Sequence, residues 1–162
     1  MIRISSRLAV PLAVVLVAWP SEAAPQALTA EAASRSLEEL QWRQCELIRD
    51  IREALSFSAP ASDDEITALR ERKDRLHEDI VRLEAELDGA ARTTTASPVL
   101  AQAADRIRAS QLEEAVLYSR GTLDQWDFGS IERLEQLILD RLQAVRDELG
   151  QPGNPVTCPE LG

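Results

Sequence analysis

Apolar residues recur along this chain at intervals of three, four and seven, and no stretch alternates apolar with polar as a half-buried strand does. Leu37, Leu40, Leu47, Ile48, Ile51 and Leu55 share one face of a helix expected over residues 33–55, with Cys45 on the flank of that face and Trp42 farther round. Pro60 and the small residues of SFSAPASDDE then interrupt the pattern. Ser62 with Glu65 three residues on has the form of a capping box, and Asp63 and Asp64 place negative charge on the positive end of the next helix.

That second helix is expected over residues 64–88, stopped at Gly89. Ile66, Leu69, Leu76, Ile80, Leu83 and Leu87 follow a strict three-four alternation in which Lys73 takes one place, the spacing of a coiled-coil seam. A third helix is expected over 98–119, opened by Ser97-Pro98, carrying Leu100, Ala103, Ala104, Ile107, Ala115 and Tyr118 on one face and ended at Gly121. A fourth, over 131–149, aligns Ile131, Leu134, Ile138, Leu142, Val145 and Leu149 and stops at Gly150 and Pro152.

Four amphipathic helices on one chain can bury their faces against each other. The expected fold is therefore all-α, an antiparallel four-helix arrangement in which the first two helices form a long, coiled-coil-like hairpin. Lys73 is the one polar residue in the seam. Either its aliphatic stem lies along the seam while the ammonium reaches water, or it selects a register or a partner. The second reading makes Lys73 a candidate partner contact.

Ahead of the periodic region, Arg3 and Arg7 precede an apolar run from Leu8 to Trp19 that contains Pro11, and Ser21-Glu22-Ala23 supplies small residues at the positions a signal peptidase reads. The run is far shorter than the roughly 20 residues a spanning helix needs. Residues 1–23 are thus expected to be a cleavable secretory signal, with an attached N-terminal helix as the alternative. No cysteine lies near the cut, so no lipid anchor is expected. Residues 24–150 would form a single helical domain and 151–162 a Pro/Gly-rich tail carrying Cys158.

Composition adds a sign. The net charge is −10, and loss of Arg3, Arg7 and Glu22 with the signal would make it −11. Binding phosphate backbones or anionic lipid requires clustered Lys and Arg, so neither nucleic acid nor a stable membrane anchor after processing is expected.

Cys45 and Cys158 are the chain's two cysteines, and export would carry them into an oxidising compartment. An internal bond between them is the expected state, ahead of an intermolecular bond or free thiols. It would close a long loop, contributing about 4–5 kcal/mol by chain entropy.

Signatures of chemistry are missing. The single histidine, His77, stands beside the seam among Arg75, Glu78 and Asp79, without the converging Cys or carboxylate spacing of a metal site. The chain holds no G-x-S-x-G elbow, P-loop, H-E-x-x-H pair or Cys-His pair free of the expected disulfide. Residues 69–83, LRERKDRLHEDIVRL, resemble the opening helix of the all-helical chorismate mutases, which include exported forms. The resemblance implies a cation cluster around a dicarboxylate, with Arg70 in the place of an early arginine. Leu87 occupies the next arginine position, and Lys73 is the chain's only lysine, so that cluster is incomplete here. The chain is read as a non-enzyme without metal or cofactor.

What remains is interaction. Trp126 and Phe128, flanked by Asp124 and Asp127 in a turn, are candidate partner contacts, because aromatic side chains in turns can anchor a partner. The expectation is a periplasmic or secreted helical factor that binds another protein of the cell envelope, as an adaptor, chaperone-like factor or assembly component, through coiled-coil docking. The alternative is a structural coiled coil that associates with itself, as a homodimer.

Overall fold

Ser62 opens the longest helix as its sequence requires: its Oγ accepts from the Glu65 amide at 3.3 Å, and Glu65 Oε2 accepts from the Ser62 amide at 2.7 Å. These bonds to the carboxylate, the backbone one foremost, hold the Glu65 side chain below its ordinary pKa. The structure is a computed structural model that describes residues 28–56, 61–93, 98–123, 128–150, 156 and 158. Its helices are α1 (Ala30–Ser56), α2 (Asp63–Ala91), α3 (Pro98–Ala109), α4 (Leu112–Thr122) and α5 (Phe128–Glu148), and no strand occurs among the described residues.

Gly89 does not end α2. It lies inside the helix, whose ladder runs on to a cap at Arg92, because the neighbouring residues favour helix strongly enough to absorb one glycine. Gly121 likewise falls within α4. Gly150 does perform its expected role: its φ of +70° takes the chain out of α5 in the left-handed conformation that glycine adopts without steric cost.

The expected third helix is two. Gln111 has φ +51° and ψ +44° and divides α3 from α4. A continuous helix from Ile107 would turn Gln111, Glu114 and Tyr118 inward and Leu112 and Val116 outward. The break advances the register so that Leu112, Ala115, Val116 and Ser119 face the core, while Tyr118 is 66% exposed. A left-handed residue other than glycine costs about 1–2 kcal/mol, whereas burying Leu112 and Val116 contributes about 1.5–3 kcal/mol each. Burial wins. The Gln111 carbonyl accepts from the Ala115 amide at 3.0 Å and from Arg141 Nη1 of α5 at 2.9 Å, which ties the break to its neighbour.

Counting α3 and α4 as one leg, the extensive contacts run round a ring, α1 to α2, α2 to α3/α4, α3/α4 to α5, and α5 back to α1. Side-chain pairs fix the directions. Arg43 meets Asp79 while Arg72 meets Asp50, so α1 and α2 run antiparallel. Asp74 pairs with Arg120, and Glu84 and Asp88 with Arg108, which sets α2 antiparallel to α3/α4. Arg106 with Glu148 and Ser119 with Glu135 do the same for α5, and Glu38 with Arg146 and Arg52 with Glu132 close the ring.

Inside lie Leu37, Leu47, Leu76, Ile107, Ile138 and Leu142, each essentially fully buried, within one continuous apolar cluster contributed by all five helices. Cys45 and Cys158 form the expected disulfide, with Cα atoms 5.1 Å apart across 113 positions of sequence. No helix of the described residues is long and apolar enough to cross a membrane.

Candidate functional site

Each leg of the bundle contributes a polar residue from its inward stripe to one buried cluster, where the four meet. Gln44 follows Leu40 by four and precedes Leu47 by three; Lys73 fills its place in the α2 seam; Ser119 follows Ala115 by four; Glu135 follows Ile131 by four and precedes Ile138 by three. All four side chains are fully buried. Glu135 is the hub. Its Oε1 accepts from Lys73 Nζ at 2.5 Å and from Ser119 Oγ, its Oε2 accepts from Gln44 Nε2 at 2.7 Å, and its backbone carbonyl accepts from the same amide at 2.9 Å.

Desolvation dominates Lys73 and pushes its pKa below the ordinary value, against the raising influence of the Glu135 carboxylate and its hydrogen bond. An amine, a carboxylate and a hydroxyl in contact are components of acid-base chemistry. Here they are sealed: none of the four residues is exposed, and none lines a described cavity. Closer to the end of α5, Arg146 donates to Gln41 Oε1 at 3.3 Å and reaches Glu38, and Gln41 donates to Gln143 at 2.8 Å. The buried groups therefore define how α1 and α5 pair.

These facts correct the reading of Lys73. Its ammonium does not reach water and it offers nothing to a partner, because the seam of α2 is filled by the chain's own helices and Glu135 supplies the counter-charge. The seam itself, Ile66 through Leu87, is buried within the bundle. Trp126 lies outside the described residues; Phe128 opens α5, and its side chain likewise lies outside them. His77 is half-buried on α2, and no group of three or more metal-ligating side chains occurs among the described residues. Gln44, Ser119 and Glu135 were legible as polar residues on apolar stripes; their meeting was not.

The accessible features lie along the outer side of the α1/α2 pair. Three cavities of about 160, 370 and 280 Å³ follow one another there, the first two sharing Arg43 and the last two sharing Arg72. Leu40 and Leu47 of α1 and Leu69, Leu76 and Leu83 of α2, each set spaced by seven, form their floor. Around the middle cavity stand three arginines, Arg43, Arg72 and Arg75, against one acid, Glu46. Arg43 is held by Glu39 and Asp79 and Arg72 by Asp50 and Glu46, whereas Arg75 has no ion-pair partner among the described residues. With the four carboxylates that hold Arg43 and Arg72 counted, the groove carries no excess of positive charge, and Arg75 is its one guanidinium without an ion-pair partner among the described residues.

No protein-family model, no curated protein and no solved structure matches this chain.

Proposed function

We propose that this chain is an exported, helical protein-binding factor of the cell envelope, an adaptor or chaperone-like component, that receives a helical segment of another protein along the outer α1/α2 groove. The continuity of the three cavities over a leucine floor carries the reading. An amphipathic helix laid in a groove presents apolar residues at i, i+3, i+4 and i+7, and the seven-residue spacing of the floor on both helices suits that repeat. Docking through the whole α2 seam is replaced by docking over its Leu69, Leu76 and Leu83 column, since the column of Ile66, Lys73, Ile80 and Leu87 is internal.

The walls suggest the partner's chemistry. Arg43 and Arg72 are already positioned by carboxylates of their own chain, so little side-chain entropy is lost when they meet a ligand. Arg75 offers a guanidinium that has no ion-pair partner among the described residues. A partner helix that sets an acidic residue against Arg75 and basic residues along the rest of its flanks suits walls that carry seven carboxylates and four guanidiniums. Export rests on the N-terminal pattern of residues 1–23.

Site-specific photo-crosslinking tests this reading, with probes replacing Ala68 on the groove wall and Trp126 in the native envelope. Capture of one discrete foreign protein at position 68, abolished by Arg72→Glu, is the expected result. Capture of this chain alone would replace the proposal by self-association, and capture indifferent to the charge reversal would remove the groove from it.

A further inference from the structure

The bundle holds a second apolar cluster, separate from its main core. Cys45 and Ile48 of α1 and Leu139 of α5 form it, and Val156 and Cys158 of the tail pack over it. Beneath that cover Cys45 and Ile48 are each 2% exposed and Leu139 is 6% exposed. The cover is joined to the patch by one covalent bond, Cys45–Cys158.

We infer that this disulfide is a latch: its reduction frees Val156 and Cys158 from the α1/α5 patch and uncovers Ile48 and Leu139 while the bundle stays folded. Two observations separate the latch from the fold. The main cluster shares no residue with the patch. And α1 and α5 remain joined without the disulfide through Gln44–Glu135, Gln41–Gln143, Arg146–Glu38 and Arg52–Glu132. Reduction thus removes a constraint on the unfolded chain and the contacts of Val156 and Cys158, but none of the ties between the helices.

The chemistry has a direction. Cys158 is partly exposed and Cys45 is buried, so an incoming thiolate attacks Cys158 Sγ. The Cys45 sulfur leaves as a thiolate and takes up a proton. With a dithiol as reductant, the second thiol of the reagent displaces Cys158 from the mixed disulfide. Two electrons and two protons pass to the protein, giving two cysteine thiols and the oxidised, cyclic form of the reagent.

The test uses the full mature chain. In Cys158→Ser, Cys45 is the sole thiol, and its alkylation by a maleimide reports the patch. The proposal expects far-UV circular dichroism equal to that of the oxidised protein, with Cys45 alkylated in native buffer at a rate close to that of the urea-unfolded chain. Loss of helicity, or a thiol that reacts only in urea, overturns it. Reduction of the purified wild type by a phosphine supplies a second route: retained helicity with new proteolytic cleavage between Gly150 and Cys158 is expected, and global unfolding or an uncleaved tail is the refuting outcome. This inference is independent of the groove.

Discussion

Lys73 and Glu135 meet across the diagonal of the bundle, from α2 and α5, two legs that the ring of extensive helix contacts keeps apart. The long lysine side chain bridges the space that helix packing leaves, and Gln44 and Ser119, from the other diagonal, complete the carboxylate's hydrogen bonds. A buried pair of this kind stabilises little relative to apolar residues of the same volume, while losing either partner leaves an uncompensated charge in the core.

Lys73→Met and Glu135→Leu should therefore each cost about 3–5 kcal/mol, and the double variant should recover most of that loss. Urea unfolding of the four proteins gives the coupling directly. Additive losses would show that the two residues act apart.

Alkaline titration has a definite sign. Because burial lowers the folded pKa of Lys73 below the ordinary 10.5, the unfolded chain binds a proton in the interval between the two values that the folded chain has released. Stability contributed by this group should rise with pH through that interval and level off above it. The measured quantity is the stability of wild type relative to Lys73→Met/Glu135→Leu from pH 7 to 10.5, and a difference that falls or stays flat refutes the assignment.

Glu113 of α4 works in the opposite sense. Its carboxyl is raised above its ordinary value, first by a hydrogen bond with Glu84 of α2, then by desolvation and by repulsion from Glu84 and Glu114; Arg108 meanwhile engages Glu84 at 2.9 Å. The folded state holds this proton more tightly, so stability should decline as pH rises from 4.5 through the folded pKa. Glu113→Gln, which keeps a donor toward Glu84, should flatten that decline and raise the thermal midpoint at pH 7. A lower midpoint would contradict it.

Two glycines should respond with opposite signs. Gly89 is helical with open space where a Cβ would stand, so Gly89→Ala should stabilise by about 0.5–1 kcal/mol. Gly150 also has open space, but its φ of +70° penalises any side chain, and Gly150→Ala should destabilise by about 1–2 kcal/mol. Denaturant midpoints at constant m-value check both.

The sequence and the structure agree most closely where the information is local. The capping box at Ser62 and Glu65, the stop at Gly150 and the stripes of α1, α2 and α5 depend on residues within one or two turns of each other. The third leg departs from expectation because its break is decided by a comparison the sequence only hints at. The step of five from Ile107 to Leu112 violates helical spacing, and whether the chain pays with a left-handed Gln111 or buries Tyr118 depends on the surface that α2 and α5 present.

The sequence by itself determined that this protein is helical, where α2 and α3 start, which faces of α1, α2 and α5 are apolar, and that two cysteines were available to pair, since periodicity, caps and composition act within single segments. The tertiary structure decided what those faces enclose. It closed the α2 seam with the chain's own helices, turned Lys73 from a surface contact into half of a buried ion pair, and laid Val156 and Cys158 over a patch of α1 and α5. Each of these joins residues from separate helices, where the cost of burying a charge or an apolar side chain depends on what a distant part of the chain brings to it.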